Sequence, residues 1–220
     1  MLDFAAARRM MVDGQVRTAD VTDLRVLDAM GQVPRERFVA PGRAPLAYLD
    51  RDLPASDGAG SSGRCLLKPM VLAKLIQAAE IAPGDSLLDV GCATGYSSAL
   101  LAQLAGAVVA LEEDRALAGA SERNLSPLPN VKVATGPLVL GWPASEPYDV
   151  ILMQGATEVV PEALLSQLKD GGRLVCVFGA EPQRKAMLYR RSDGETSGRP
   201  LFDASAPLLP GFSRKPAFVF

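Results

Sequence analysis

The chain has 220 residues, 48% of them hydrophobic and 22% charged, with a formal net charge of −2. That balance suits one sizeable soluble α/β domain, leaves two full domains cramped, and points to neither nucleic acid nor a membrane as a partner. Histidine is absent, so the commonest general base and the commonest metal ligand are both missing. Cys65, Cys92 and Cys176 stand far apart without metal-ligand spacing, so no metal is expected and a reducing cytoplasm is the expected location.

The N-terminal MLDFAAARRMMVDGQVR carries charges where a signal peptide needs an apolar run, and no later stretch is long and apolar enough to span a bilayer. FAAARRMMVDGQVR reads as helical. So does DVTDLRVLDAM, where Leu24, Leu27 and Met30 recur at helical spacing and Asp20 or Thr22 is placed to cap. Residues 31–68, rich in Pro, Gly and Ser, read as an irregular segment, and loops of that length are commonly functional lids or disordered links.

From Pro69 the pattern alternates. The helix PMVLAKLIQAAEI leads into strand-like SLLDV, AVVALE, VKVA, YDVILM and GRLVCVF, with helical SSALLAQLA, DRALAGASERNL and PEALLSQLK between them. Strands alternating with helices predict a mostly parallel, doubly wound sheet covered on both faces. RKAMLYRR and PAFVF add two tail strands. The expected organisation is a helical preface and lid over residues 1–68 and an α/β core over residues 69–220, joined as one structural unit.

The stretch LLDVGCATGYSSALLA carries the chemistry: a strand ends at Asp89 and Val90, and Gly91, Ala93 and Gly95 open a helix. Open α/β sheets bind nucleotides at such a turn. A phosphate-binding loop would need Gly-Lys-Ser/Thr, and Thr94, Gly95 and Tyr96 stand there instead. A dinucleotide fingerprint needs its last glycine one residue later than Gly95. S-adenosylmethionine has no pyrophosphate: its amino-acid end needs close backbone, and its ribose needs an acidic acceptor after the next strand. Glu112, closing AVVALE, stands at that position. Without a ligand, the same glycines would simply permit a tight turn and Glu112 would cap the following helix.

MVDGQVR, VLDAMGQVPRERFV, AYLDRDLP, LLDVGCATGY, LGWP, YDVILMQGA and PEALLSQLKDGGRLV, in that order, resemble the protein-L-isoaspartate O-methyltransferase family over nearly the whole chain. The resemblance implies a Rossmann-like S-adenosylmethionine-dependent methyltransferase with an N-terminal helical addition. Its substrate would be the α-carboxylate of isoaspartyl residues in damaged proteins or peptides. It also implies that Gly91, Cys92, Ala93, Thr94 and Gly95 approach the cofactor by backbone, that Glu112 accepts from the ribose, and that Gly136, Pro137 and Leu138 flank adenine. A carboxylate is ionised near pH 7 and attacks a sulfonium methyl directly, so the lack of histidine is compatible with the reaction.

Two words depart from the family pattern. Where the family has Thr-Ile-Ser-x-Pro at the substrate mouth, this chain has Cys65, Leu66, Leu67, Lys68 and Pro69, so Leu67 replaces the serine. Where the family has Gly-Asp-Gly, Gly136 is kept and Pro137 and Leu138 follow. Ser61 and Ser62 are candidates to restore a hydroxyl, and Arg64 and Lys68 to attract an anionic substrate; otherwise all four are solvated loop residues. Trp142 reads as a packing anchor, Tyr96 as a cover for the turn, and Asp89 as a cap for the turn's amides. The alternatives are a methyltransferase acting on another carboxylate or small molecule, a cofactor-binding protein without turnover, and, less favoured by spacing, a nicotinamide-dependent oxidoreductase.

Overall fold

The computed structural model describes residues 3–56 and 63–214; PAFVF, Ser61 and Ser62 lie outside them. The first helix, α1 (Phe4–Met11), begins where Asp3 accepts a hydrogen bond from the Ala6 amide at 3.0 Å. Its helical path continues through two further short helical turns and ends at Asp20, which is left-handed with φ 65°. The next helix, α2 (Leu24–Gln32), is capped by Asp23, which accepts from the Arg25 amide at 2.9 Å. The cap is therefore neither Asp20 nor Thr22, because the left-handed residue has already broken the chain direction three positions earlier.

The described part of residues 31–68 is more ordered than its composition suggests. Short helical turns at Arg35–Arg37 and Pro41–Leu46 lead to a small antiparallel pair, β1 (Leu53–Pro54) with β2 (Cys65–Leu66). The Ala55 amide extends this pairing to the Arg64 carbonyl at 2.9 Å. Helix α3 (Pro69–Ala78) starts on proline, which suits the first helical turn. Its free amides are met from AYLDRDLP: Asp52 accepts from the Lys68 amide at 2.8 Å and Asp50 from the Met70 amide at 3.0 Å.

The core elements follow as β3 (Ser86–Val90), α4 (Tyr96–Leu101), β4 (Ala107–Glu112), α5 (Arg115–Leu125), β5 (Val131–Thr135), β6 (Tyr148–Thr157), α6 (Glu162–Leu165), β7 (Leu168–Phe178), β8 (Lys185–Ser192) and β9 (Glu195–Asp203). They form one seven-stranded sheet in the order β5-β4-β3-β6-β7-β8-β9. The first five strands in that row run parallel, and the last two pair antiparallel at one edge. Successive residues point to opposite faces. Leu87, Val108, Val150 and Leu152 pack towards α3, α4 and the preface residues Met11, Leu27 and Met30. Leu88, Val109, Ile151 and Met153 pack towards Leu164 and Leu165 of α6. Preface and sheet thus share one core.

The chain winds from β3 outward to β4 and β5, then crosses back to β6. The carboxyl ends of β3 and β6 therefore flank the switch point at which open α/β sheets hold ligands. Two features shape this end. The register of β6 against β7 shifts between Leu152 and Ala156, and Gln154 lies within that irregular stretch. The C-terminal segment also laps over the strand ends, with Ala156 donating to the Pro207 carbonyl at 2.7 Å and Leu209 donating to the Ala156 carbonyl at 2.9 Å.

Two elements differ from the sequence expectation. PEALLSQLK is helical only over Glu162–Leu165. Gln167 is drawn across to the LGWP turn, giving its Nε2 to the Leu140 carbonyl at 2.7 Å and accepting from the Trp142 amide at 2.9 Å. The edge strand β9 had no signal, because most of its residues face solvent.

Candidate cofactor and active site

The turn after β3 is fixed by its own backbone. The Gly91 and Cys92 amides both donate to the Leu111 carbonyl of β4, at 2.8 and 3.1 Å, and the Gly95 amide closes onto the Cys92 carbonyl at 2.9 Å. Thr94 gives its hydroxyl to the Phe38 carbonyl at 2.5 Å, tying the preface to the turn, and Asn124 donates to the Thr94 carbonyl at 2.9 Å. The two glycines serve different ends, although both have positive φ. A Cβ at Gly95 would meet Leu125 and Ser121 at 2.9 Å, so this position is bare to let α5 pack. A Cβ at Gly91 would run into the Arg64 guanidinium, whose Cζ stands 3.1 Å from it, so this position is bare towards the cleft.

Asp89 is fully buried and does not cap the turn's amides. It accepts from the hydroxyls of Ser97 and Ser98, at 2.6 and 2.5 Å, and from Gln154 Nε2 at 2.7 Å. Burial raises its carboxyl pKa above the usual range, and the two serines and Gln154 oppose that shift. Cys92 faces Ser121 at 3.6 Å, and burial pushes its thiol far up, which removes it as a nucleophile near neutral pH.

Glu112 ends β4 with its carboxylate beneath the turn and wholly buried. One oxygen accepts from the Ala93 amide at 2.8 Å; the other accepts from the Glu113 and Asp114 amides at 3.0 and 3.2 Å. Arg64 completes the set. Its Nε and Nη2 lie 3.4 and 3.3 Å from Glu112 Oε2, and Nη2 also donates to the Gly91 carbonyl. Arg64 is 3% exposed, so it is neither a solvated loop charge nor a surface lure for anions. Its burial is sustained by the Glu112 carboxylate, and nothing in its flanking sequence announced this.

Gly136 donates to the Glu112 carbonyl at 3.1 Å and has the Trp142 ring 3.3 Å from where its Cβ would be. Pro137 is exposed and Leu138 buried. The Leu138 amide donates to Glu113 at 3.3 Å, so an acid does stand beside this loop, on β4's extension instead of at Pro137. Trp142 packs in the second core face, in keeping with an anchor. Tyr96 opens α4, its ring edge-on to Phe38 and under the Arg35 guanidinium at 4.7 Å.

At the mouth, Leu67 is 1% exposed and turns inward. Its carbonyl accepts from Arg35 Nη2 at 2.9 Å, while Arg35 Nε bonds the Ala47 carbonyl at 2.8 Å. A fully buried arginine thus pins the Leu67 and Ala47 backbones to one point. Between Cys65, Leu67, Gly91, Tyr96 and Gln154 remains a cavity of about 10 Å³, against the roughly 300–1,000 Å³ common for ligand pockets. A larger cavity of about 280 Å³ lies beside α4 near Gln32, Phe38 and Asn124, apart from Glu112 and Gly91. Among the described residues no group of three His, Cys, Asp or Glu is gathered to hold a metal, and no helix is long and apolar enough to cross a membrane.

A mostly parallel sheet with a glycine turn at the end of β3 and a buried acid closing β4 is the Rossmann-like arrangement that holds a nucleoside at its strand ends. The sequence model of the protein-L-isoaspartate(D-aspartate) O-methyltransferase family matches residues 7–204. The chain belongs to that family. It is 36% identical to the protein-L-isoaspartate O-methyltransferase of Koribacter versatilis over 97% of this chain and 96% of the relative. With protein-L-isoaspartate O-methyltransferase 2 of Anaeromyxobacter sp. it shares 41% identity over 79% of this chain and 70% of the relative. A solved protein-L-isoaspartate O-methyltransferase superposes with a TM-score of 0.80 at 25% identity, over 92% of this chain and 66% of that one. A Plasmodium falciparum structure in complex with S-adenosyl-L-homocysteine gives 0.77 at 18% identity over 92% of this chain and 97% of that one, a likeness of fold.

The donor set fits an S-adenosylmethionine-type cofactor: close backbone at Gly91–Gly95 and a preplaced acceptor at Glu112. The Arg64 guanidinium stands between them, and Leu209 Cδ2 also lies 3.3 Å from the Gly91 Cβ position.

Proposed function

We propose that this chain transfers a methyl group from S-adenosylmethionine to the α-carboxylate of isoaspartyl residues in damaged proteins or peptides of the cytoplasm. The observation that carries this reading is the buried Glu112 carboxylate, amide-anchored beside the Gly91 turn in a member of this family. When bound, the cofactor supplies an electrophilic methyl on a sulfonium. Gly91, Cys92, Ala93, Thr94 and Gly95 offer backbone to its amino-acid end, Glu112 accepts from its ribose, and Gly136, Pro137 and Leu138 flank adenine. Residues 1–68 act as preface and lid over a core running from residue 69 onward.

The chain's own work is placement. A substrate carboxylate arrives ionised, so no side chain has to remove a proton, and holding nucleophile and methyl near in-line contributes up to about 7–11 kcal/mol. Leu66, Leu67 and Leu72 keep water from the mouth, and Arg35 fixes the Leu67 backbone that shapes it.

The inward turn of Leu67 favours a second reading, in which the same machinery methylates a different carboxylate or a small molecule. A labelled methyl-transfer assay with an isoaspartyl peptide and its aspartyl twin separates the two. Transfer to the isoaspartyl peptide alone supports the first reading. Transfer to neither peptide, with methylation of another carboxylate compound or cell-extract component, supports the second.

A further inference from the structure

We propose that Arg64 is a latch: in the free protein its guanidinium holds the cofactor's place against Glu112, and cofactor binding requires it to swing out. The proposal rests on the cofactor site proposed above. Two requirements collide in one space. A ligand that touches the Gly91 backbone and Glu112 together must pass where Nη2 stands, against the Cβ position of Gly91, with Cζ 3.1 Å from the same point. Arg64 and the ligand therefore exclude one another.

Glu112 holds Arg64 less closely than it holds its backbone donors, and the other bond the latch gives up on opening is the one from Nη2 to the Gly91 carbonyl. Glu112 keeps its three amide donors, the nearest at 2.8 Å, whether or not Arg64 is present. Its contacts to Arg64, at 3.3 and 3.4 Å, are longer than the roughly 2.7–2.9 Å of a tight charge-assisted bond. The acceptor is thus preorganised by backbone, and the cation is its loosest partner. The Arg64 backbone stays tied through its carbonyl to the Ala55 amide at 2.9 Å, so only the side chain has to move.

A parked side chain lowers apparent affinity by the fraction of molecules in which it has left. Removing this longer contact should therefore change affinity by roughly tenfold. The test is titration of S-adenosylhomocysteine into wild type, Arg64→Met and Arg64→Lys, followed by calorimetry and by fluorescence of Trp142, the single tryptophan. Arg64→Met, which keeps an apolar stem and loses the charge, is expected to bind about tenfold more tightly, with Arg64→Lys between it and wild type. Its melting temperature is expected to fall below wild type without ligand and to match it at saturation. Equal or weaker binding by Arg64→Met overturns the latch alone. Absence of binding by all three proteins overturns the cofactor reading, and the latch with it.

A measurement on wild type does not depend on any variant folding. The Arg64 Nε–H resonance should be protected from solvent exchange in the free protein and lose protection on adding S-adenosylhomocysteine. Unchanged protection in the saturated protein refutes the proposal.

Discussion

Replacing Glu112 with glutamine changes one oxygen for an NH₂ group and leaves the volume alone, so the effect is read in hydrogen bonds. The carboxylate accepts from three amides and two guanidinium nitrogens, all on a side chain with no exposure. In its better orientation, a glutamine keeps its oxygen on the Glu113 and Asp114 amides and turns its NH₂ towards the Ala93 N–H and Arg64. One charge-assisted bond then becomes a donor facing a donor, a loss of about 1.5–3 kcal/mol. Stranding a buried cation adds up to about 3–5 kcal/mol where it cannot escape, but Arg64 can swing towards solvent, which limits that share. The total expected is about 2–4 kcal/mol, or roughly 5–15 °C in melting temperature for a chain of this size.

Urea unfolding of wild type, Glu112→Gln, Arg64→Met and the double variant measures both the loss and its origin. If the pair is coupled as described, the penalty of Glu112→Gln should shrink by about 1–2 kcal/mol when Arg64→Met is made in the same chain, within the range found for residues in contact. A penalty below about 0.5 kcal/mol, or one of equal size in both backgrounds, would refute the reasoning.

Three further outcomes follow from the same geometry. Asp89 has a folded pKa raised by burial, so the folded state binds its proton more readily than the unfolded chain, and stability is lost as pH rises from the unfolded value through the folded one. Asp89→Asn can keep Gln154 on its oxygen and offer NH₂ to Ser97 and Ser98, so it should match or exceed wild type in urea at about pH 7 and lose that advantage towards about pH 4. Thiol titration of native protein at about pH 8 should reach only half-buried Cys65. Cys92 is pushed far up, and Cys176, pushed up to about 12, is ionised in about one molecule in ten thousand. Asp50→Ala removes the acceptor of the Met70 amide at the start of α3 and should cost about 1 kcal/mol, seen as a melting shift of about 2–4 °C.

The strands of the parallel sheet were legible because burial on both faces leaves near-continuous apolar runs, as in SLLDV and AVVALE. Solvent-facing β9 offers no such run: its place comes from hydrogen bonds to β8, and its side chains add little. The shortening of α6 was invisible for a related reason. PEALLSQLK has a good helical pattern, but the helix yields to Gln167, whose side chain satisfies two backbone groups of a turn 25 and 27 residues earlier in the chain. Local pattern cannot register a bond made at that separation.

The same limit decides what the sequence shows of the site. Gly91, Gly95 and Glu112 are legible because backbone curvature and strand ends fix them locally, and the structure brings Glu112 beneath the turn as the spacing implied. Arg64 looks like an ordinary loop cation, since arginine is mostly exposed and its neighbours carry no motif. Its burial is settled by partners 27 and 48 residues away, the Gly91 carbonyl and the Glu112 carboxylate. A carboxylate as deeply buried as that of Glu112 must be compensated, because an unpaired buried charge is strongly unfavourable. Three backbone amides do part of this and the Arg64 guanidinium completes it, so the buried charge of Glu112 is what draws Arg64 in against the Gly91 turn.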